Sequence, residues 1–163
     1  MVHPFLTRIF DLGVPPSALR DFDLLLLPEN SESAPRSELR EAQHALSVAK
    51  MARAAGYRVA TATDFKVDAK LLERRDSHLW LGVIAVVQPI VLSVVARFVY
   101  DWLSKSSPAG RDKPQVTVKL RVIREDQVTA IDYSGDADAF VSTCRAIAGE
   151  STKTVDRASH PDA

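Results

Sequence analysis

Cysteine is almost missing from this chain: Cys144 is the only one in 163 residues. It has no mate for an internal disulfide, so oxidative stapling is excluded and a reducing compartment is the natural setting. Glycine is also sparse. The six glycines, Gly13, Gly56, Gly82, Gly110, Gly135 and Gly149, stand alone and none precedes a Lys-Ser or Lys-Thr pair, which excludes a phosphate-cradling loop of the usual kind. Charge of one sign is lacking too: 21 Lys and Arg balance 21 Asp and Glu. A general electrostatic affinity for nucleic acid needs clustered cations, so no nucleic-acid partner is expected. His3, His44, His78 and His160 are scattered, at spacings that fit neither a zinc finger nor a His-Glu-x-x-His helix. No metal, no cofactor and no catalytic residue is therefore expected. The first residues, Met1-Val2-His3-Pro4-Phe5, lack the basic and apolar regions of a secretory signal, and neither end carries a lipidation motif. The expected location is the cytoplasm.

What the chain does contain is an ordinary globular composition, 46% hydrophobic and 26% charged, with a length suited to one domain. Residues 1–20 mix apolar side chains with Gly13, Pro15 and Pro16 and read as an N-terminal loop segment, with at most one short helix at its end. Phe22 to Leu27, closed by Pro28, is a short apolar run of the kind buried on both faces of a sheet. Ser33, Pro35 and Ser37 then supply helix-start chemistry. Leu39, Ala42, Leu46 and Ala49 fall on one helical face, and Gly56 stands where a helix stops. Tyr57 to Thr63 reads as a second strand, completing a parallel strand–helix–strand unit. Residues 64–77, with equal numbers of both charges, predict a solvated helix.

From Leu79 to Ala96, eighteen residues carry no charge. That length meets the threshold for a membrane-spanning helix. Gln88-Pro89 in its middle, the abundance of valine, and Ser93, Arg97, Asp101 and Ser104 at helical spacing favour instead a long apolar core helix over 79–104. A buried strand from Leu81 to Val87 ahead of the helix is a further reading of the same run. Val116, Val118, Leu120 and Val122 alternate with Thr117, Lys119 and Arg121, the period of a strand with one buried and one wet face. Glu125-Asp126 turns the chain into a partner strand from Val128 to Tyr133. Asp136 opens a closing helix whose inward stripe is Ala137, Phe140, Cys144 and Ile147, which makes Cys144 a core residue rather than a nucleophile. After Gly149 the chain is polar and expected to be disordered.

Few residues offer chemistry. Glu29 and Asn30 follow the first strand and Thr63 and Asp64 the second, at the strand ends where open sheets bind ligands. Glu29 and Asp64 together could hold a magnesium ion, and a hydrolase built on them is the weakest of three readings. Lys119, Arg121 and Arg124 on the wet hairpin face, with Arg74 and Arg75 on the charged helix, are the candidate interaction surface.

The order of elements is carried by recognisable stretches: the strand–helix–strand opening, a Val/Ala/Leu-rich helix ending in Tyr100-Asp101-Trp102-Leu103, the hairpin from Val116-Thr117-Val118 to Ala130-Ile131-Asp132, and a helix opening at Asp136. Over residues 20–148 this order is similar to the effector-associated constant component proteins of bacterial conflict systems. The resemblance implies a non-catalytic component that works beside a separate effector, such as a protease or NTPase, and carries over no catalytic residue.

The sequence thus predicts an α/β fold with a mixed four-stranded sheet. It comprises an N-terminal segment (1–20), one domain (21–148) containing the apolar helix, and a tail (149–163). The expected role is an adaptor or interaction module with a protein partner, and a homo-oligomer stays open. The alternative is a small protein anchored in the inner membrane by a span at 79–96.

Overall fold

Two apolar faces of one sheet organise the chain, and each is covered by helices from a different part of the sequence. The computed structural model describes residues 3–72, 78–106, 115–125 and 127–159. In chain order the elements are α1 (Pro4–Leu12), α2 (Ala18–Asp21), β1 (Leu24–Leu27), β2 (Arg40–Glu41), α3 (Ala45–Ala54), β3 (Val59–Thr61), β4 (Lys70–Leu71), β5 (Leu79–Val86), α4 (Leu92–Ser106), β6 (Gln115–Arg124), β7 (Gln127–Asp136) and α5 (Ala137–Ser159). The main sheet has the order β3-β1-β5-β6-β7, and β2 and β4 form a small parallel pair beside it. The fold is mixed α/β, with β3 parallel to β1, β5 antiparallel to β1, β6 parallel to β5 and β7 antiparallel to β6.

Alternation along the strands assigns the faces. On β1, Leu24 and Leu26 join the larger core with α3, α4 and α5, while Leu25 and Leu27 join the smaller one with α1. On β5 the larger core takes Leu79, Leu81, Ile84 and Val86. The parity change between Leu81 and Ile84 is the work of a bulge at Trp80/Gly82.

The long apolar helix expected over 79–104 is corrected here. Leu79–Val86 is a central strand, Pro89–Val91 a single 3-10 turn, and α4 begins only at Leu92. The reason is local: Pro89 lacks the N–H that would continue a ladder, and its fixed φ suits the first turn of the helical stretch that follows. This strand makes the sheet five-stranded rather than four-stranded. The membrane span at 79–96 falls with it, because nearly half of its length is sheet. Among the described residues no helix is long and apolar enough to cross a membrane.

The N-terminal segment also departs from expectation. Residues read as a loop form α1, with Pro4 in its first turn, the His3 Nδ1 accepting from the Phe5 N–H at 3.0 Å, and Gly13 closing it in the left-handed region at φ 118°. Its Phe5, Leu6 and Ile9 form the second core. The helix expected from Ser33 or Ser37 starts later, at Ala45. Ala45, Val48, Ala49 and Ala52 are its buried face, and Leu46 is exposed. Gly56 does follow its end, at φ 96°. The expected helix over 64–77 is replaced by a 3-10 turn at Ala62–Phe65 and the short β4, and residues 73–77 lie outside the described residues. The hairpin forms as expected, with an unbroken register from Gln115↔Asp136 to Arg124↔Gln127. The closing helix continues past Gly149 to Ser159.

Candidate interaction surface

The hairpin β6–β7 has two unlike sides. Val116, Val118, Leu120 and Val122 turn to the larger core, joined by Ile131 and Tyr133 of β7. Thr117, Lys119 and Arg121 turn the other way, opposite Ser134, Asp132 and Ala130. The wet face expected there is real for Thr117, whose hydroxyl lies 3.3 Å from that of Ser134, and for the half-buried Lys119.

Arg121 corrects that expectation. It is only 5% exposed. Its Nε and Nη2 donate to the Glu32 carboxylate at 3.2 and 2.6 Å, and its Nη1 donates to Asp132 Oδ1 at 2.7 Å and to its own strand at the Leu120 carbonyl. Burial disfavours the charge, but hydrogen bonds and attraction from Glu32 and Asp132 outweigh it and hold the Arg121 pKa above its ordinary value. The guanidinium is therefore a structural tie and not a contact offered to a partner. Glu32 sits in the loop after β1, and the same loop is gripped from α1: Arg8 Nε donates to the Ser31 carbonyl at 2.8 Å and Arg8 Nη2 to the Ala34 carbonyl. Neither Glu32 nor Asp132 was legible as a partner from spacing along one strand. The available signal was the hairpin register, which sets Asp132 diagonally across from Arg121 and within reach of a long side chain.

Arg124 is exposed at the hairpin end. Arg74 and Arg75 lie outside the described residues. The candidate cations are thus not one cluster. Lys119 instead lines a cavity of about 340 Å³ with Thr117, Trp80, Asn30, Arg40 and Glu29. Gly82 forms part of its floor, where φ is +73° and an added Cβ would stand 3.0 Å from the Ala42 Cβ and 3.1 Å from the Leu27 carbonyl oxygen. Asn30 is fixed at the rim, donating to the Glu38 carbonyl at 2.9 Å and accepting from the Arg40 N–H at 2.8 Å.

The two acids considered as metal ligands have separate roles. Asp64 caps the 3-10 turn after β3, accepting from the Thr61 N–H at 2.8 Å and pairing with Arg53 at 3.0 Å. Glu29 lies at the cavity just described. Among the described residues no group of three or more potential metal ligands converges. Cys144 lies in the larger core, and burial pushes its thiol up to about 12.

The chain is an α/β protein with a cavity lined by residues of β5, β6 and the loop after β1. Comparison with protein-family models, curated proteins and solved structures finds no match to it.

Proposed function

We propose that this chain is a non-catalytic interaction module, and that its working surface is the open half-face of the sheet formed by β5, β6 and the loop after β1. The observation that carries the reading is the cavity in which Lys119 and Arg40 bring cations beside Trp80, a large flat side chain, and the amide of Asn30. Such a mixture suits a protein surface, where an aromatic anchor and a few charges supply most of the contact energy. The loop that walls the cavity is held rigid by Arg8 and Arg121, so the surface is preorganised. The partner is a separate effector, a protease or NTPase of a bacterial defence system, as the resemblance to effector-associated constant components implies. The place of action is the cytoplasm.

The test is co-purification of the tagged full chain from its native cells with quantitative mass spectrometry, comparing wild type with Lys119→Glu and Trp80→Ala. A stoichiometric effector-class partner that disappears in both folded variants supports the reading. A partner set unchanged in both overturns it.

A further inference from the structure

The two edges of the main sheet are treated differently. On one side β3 is three residues long and wholly buried, and Arg53 donates to its Val59 carbonyl from Nε and Nη2. On the other side β7 runs for ten residues with mostly exposed or half-exposed side chains. Long edges normally carry lysine, proline or a bulge that discourages pairing. Here β7 has no Lys, Arg or Pro, its register with β6 is unbroken, and one of its two acids, Asp132, is already paired with Arg121.

We infer that β7 is a dimerisation edge, and that its occupant is β7 of a second copy of this chain, antiparallel across a two-fold axis through Ile131. In such a pairing directly opposed residues share a sheet face, so the axis must pass a residue and not a peptide bond. Centred on Ile131, the register sets Ile131 against its own copy and Thr129 against Tyr133 on the core side. On the other side it sets Ala130 against Asp132 and Val128 against Ser134. Between Gln127 and Gly135, the residues of β7 that meet β7 of the second copy, no acid meets an acid. Ala130 also lies directly opposite Arg121 on β6, so the row Arg121, Ala130, incoming Asp132 places a carboxylate next to a buried cation. Centring on Asp132 would set two carboxylates together, and centring on Ala130 would set each Asp132 against Val128. Above the edge, α5 turns Arg145 over Tyr100 of α4, with its guanidinium carbon 5.8 Å from the ring centroid. At about 100° per residue Thr143 and the half-buried Ile147 fall on the flank of α5 opposite Arg145.

This inference is independent of the partner surface proposed above. It is tested on the full chain by sedimentation and by a cysteine placed on the axis, with the buried Cys144 left in place. Wild type should be a dimer across the micromolar range and Ile131→Lys a monomer with unchanged circular dichroism. Under mild oxidant Ile131→Cys should form an intermolecular disulfide, because opposed Cα atoms lie about 4.5–5.5 Å apart. Thr129→Cys should not, because its own copy is displaced by roughly 13 Å along the strands. A monomeric wild type overturns the inference. So does a dimer in which the axial cysteine fails to cross-link, and that arm decides alone if Ile131→Lys does not fold.

Discussion

Arg121 and Glu32 lie 89 residues apart in the chain and meet through two hydrogen bonds of 2.6 and 3.2 Å. The pair joins the middle of β6 to the loop after β1. Removing one partner of a buried charge pair costs more than replacing the charge, because the remaining ion is left without its counter-ion. Asp132, still bonded to Arg121, is 66% exposed and compensates only in part. Glu32→Ala is therefore expected to destabilise the protein by about 2–3 kcal/mol. Arg121→Met should cost less, since Glu32 can turn to water while the methionine fills the space. Urea denaturation of both variants checks the order; an Arg121→Met that is the more damaging would show the tie to be worth its hydrogen bonds rather than its burial.

Two carboxylates give acid stability opposite signs. Burial works against ionised Asp23, but hydrogen bonds from the Arg58 backbone and side chain, with the Arg58 charge, outweigh it and hold its pKa below the ordinary 3.8. A depressed folded value contributes stability that is complete above the unfolded pKa and is lost as pH falls through the folded one. For Glu41 burial raises the pKa above the ordinary 4.5. Its contribution is present at pH below that value and is lost as pH rises through the folded one, so ionised Glu41 carries a cost at neutral pH. Asp23→Asn should lower stability at pH 7 by about 1 kcal/mol and flatten its fall below pH 4. Glu41→Gln should raise stability at pH 7, with the gain vanishing toward pH 4. Denaturant midpoints followed from pH 3 to 8 read both slopes.

Much of the fold was legible where one period dominated a segment. The buried run of β1, the alternation of β6, the turn at Glu125 and the stripe of Ala137, Phe140 and Cys144 on α5 each follow from local pattern. Where two patterns overlapped, reading failed. Leu79 to Ala96 carries no charge, so nothing in its hydropathy marks the change from strand to helix, its valines fall on both sides of the change, and only Gln88-Pro89 hints at it. The α1 stripe of Phe5, Leu6, Ile9 and Leu12 was masked by Gly13 and Pro15-Pro16, which end the helix rather than prevent it. The site was less legible still. Alternation put Arg121 on the face turned away from the larger core, but that position is not wet: its burial involves Glu32 on a distant loop, a long-range contact that no local period encodes.

Gly82 stands at the bulge of β5 and needs both its φ of +73° and its missing side chain. A left-handed conformation costs an ordinary residue about 1–2 kcal/mol. The 3.1 Å approach to the Leu27 carbonyl adds to this, since β1 is the sheet neighbour and its backbone cannot retreat without breaking the ladder. Gly82→Ala is expected to destabilise by about 3 kcal/mol, whereas Gly149→Ala, in a helix with nothing within 4 Å of the added methyl, should stabilise by about 0.5–1 kcal/mol. Thermal melts of the two alanine variants should move in opposite directions.

Cys144 provides a reporter on how α5 leaves the sheet. The thiolate is the reactive form, and a thiol pushed up to about 12 by burial is almost wholly protonated at pH 8 as well as sealed from reagent. Labelling by a disulfide reagent in native buffer must then wait for an opening that exposes the residue. Its rate relative to the unfolded chain measures the free energy of that opening. Phe140, Val141 and Ala148 share the core with Cys144, and α4 lies alongside, so α5 should not peel away at small cost. Native labelling is expected to be slower than in denaturant by at least about a thousandfold, an opening energy near 4 kcal/mol or more. The rate should rise with urea along the same slope as global unfolding. A fast rate insensitive to urea would show instead that α5 detaches locally, leaving the five-stranded sheet behind.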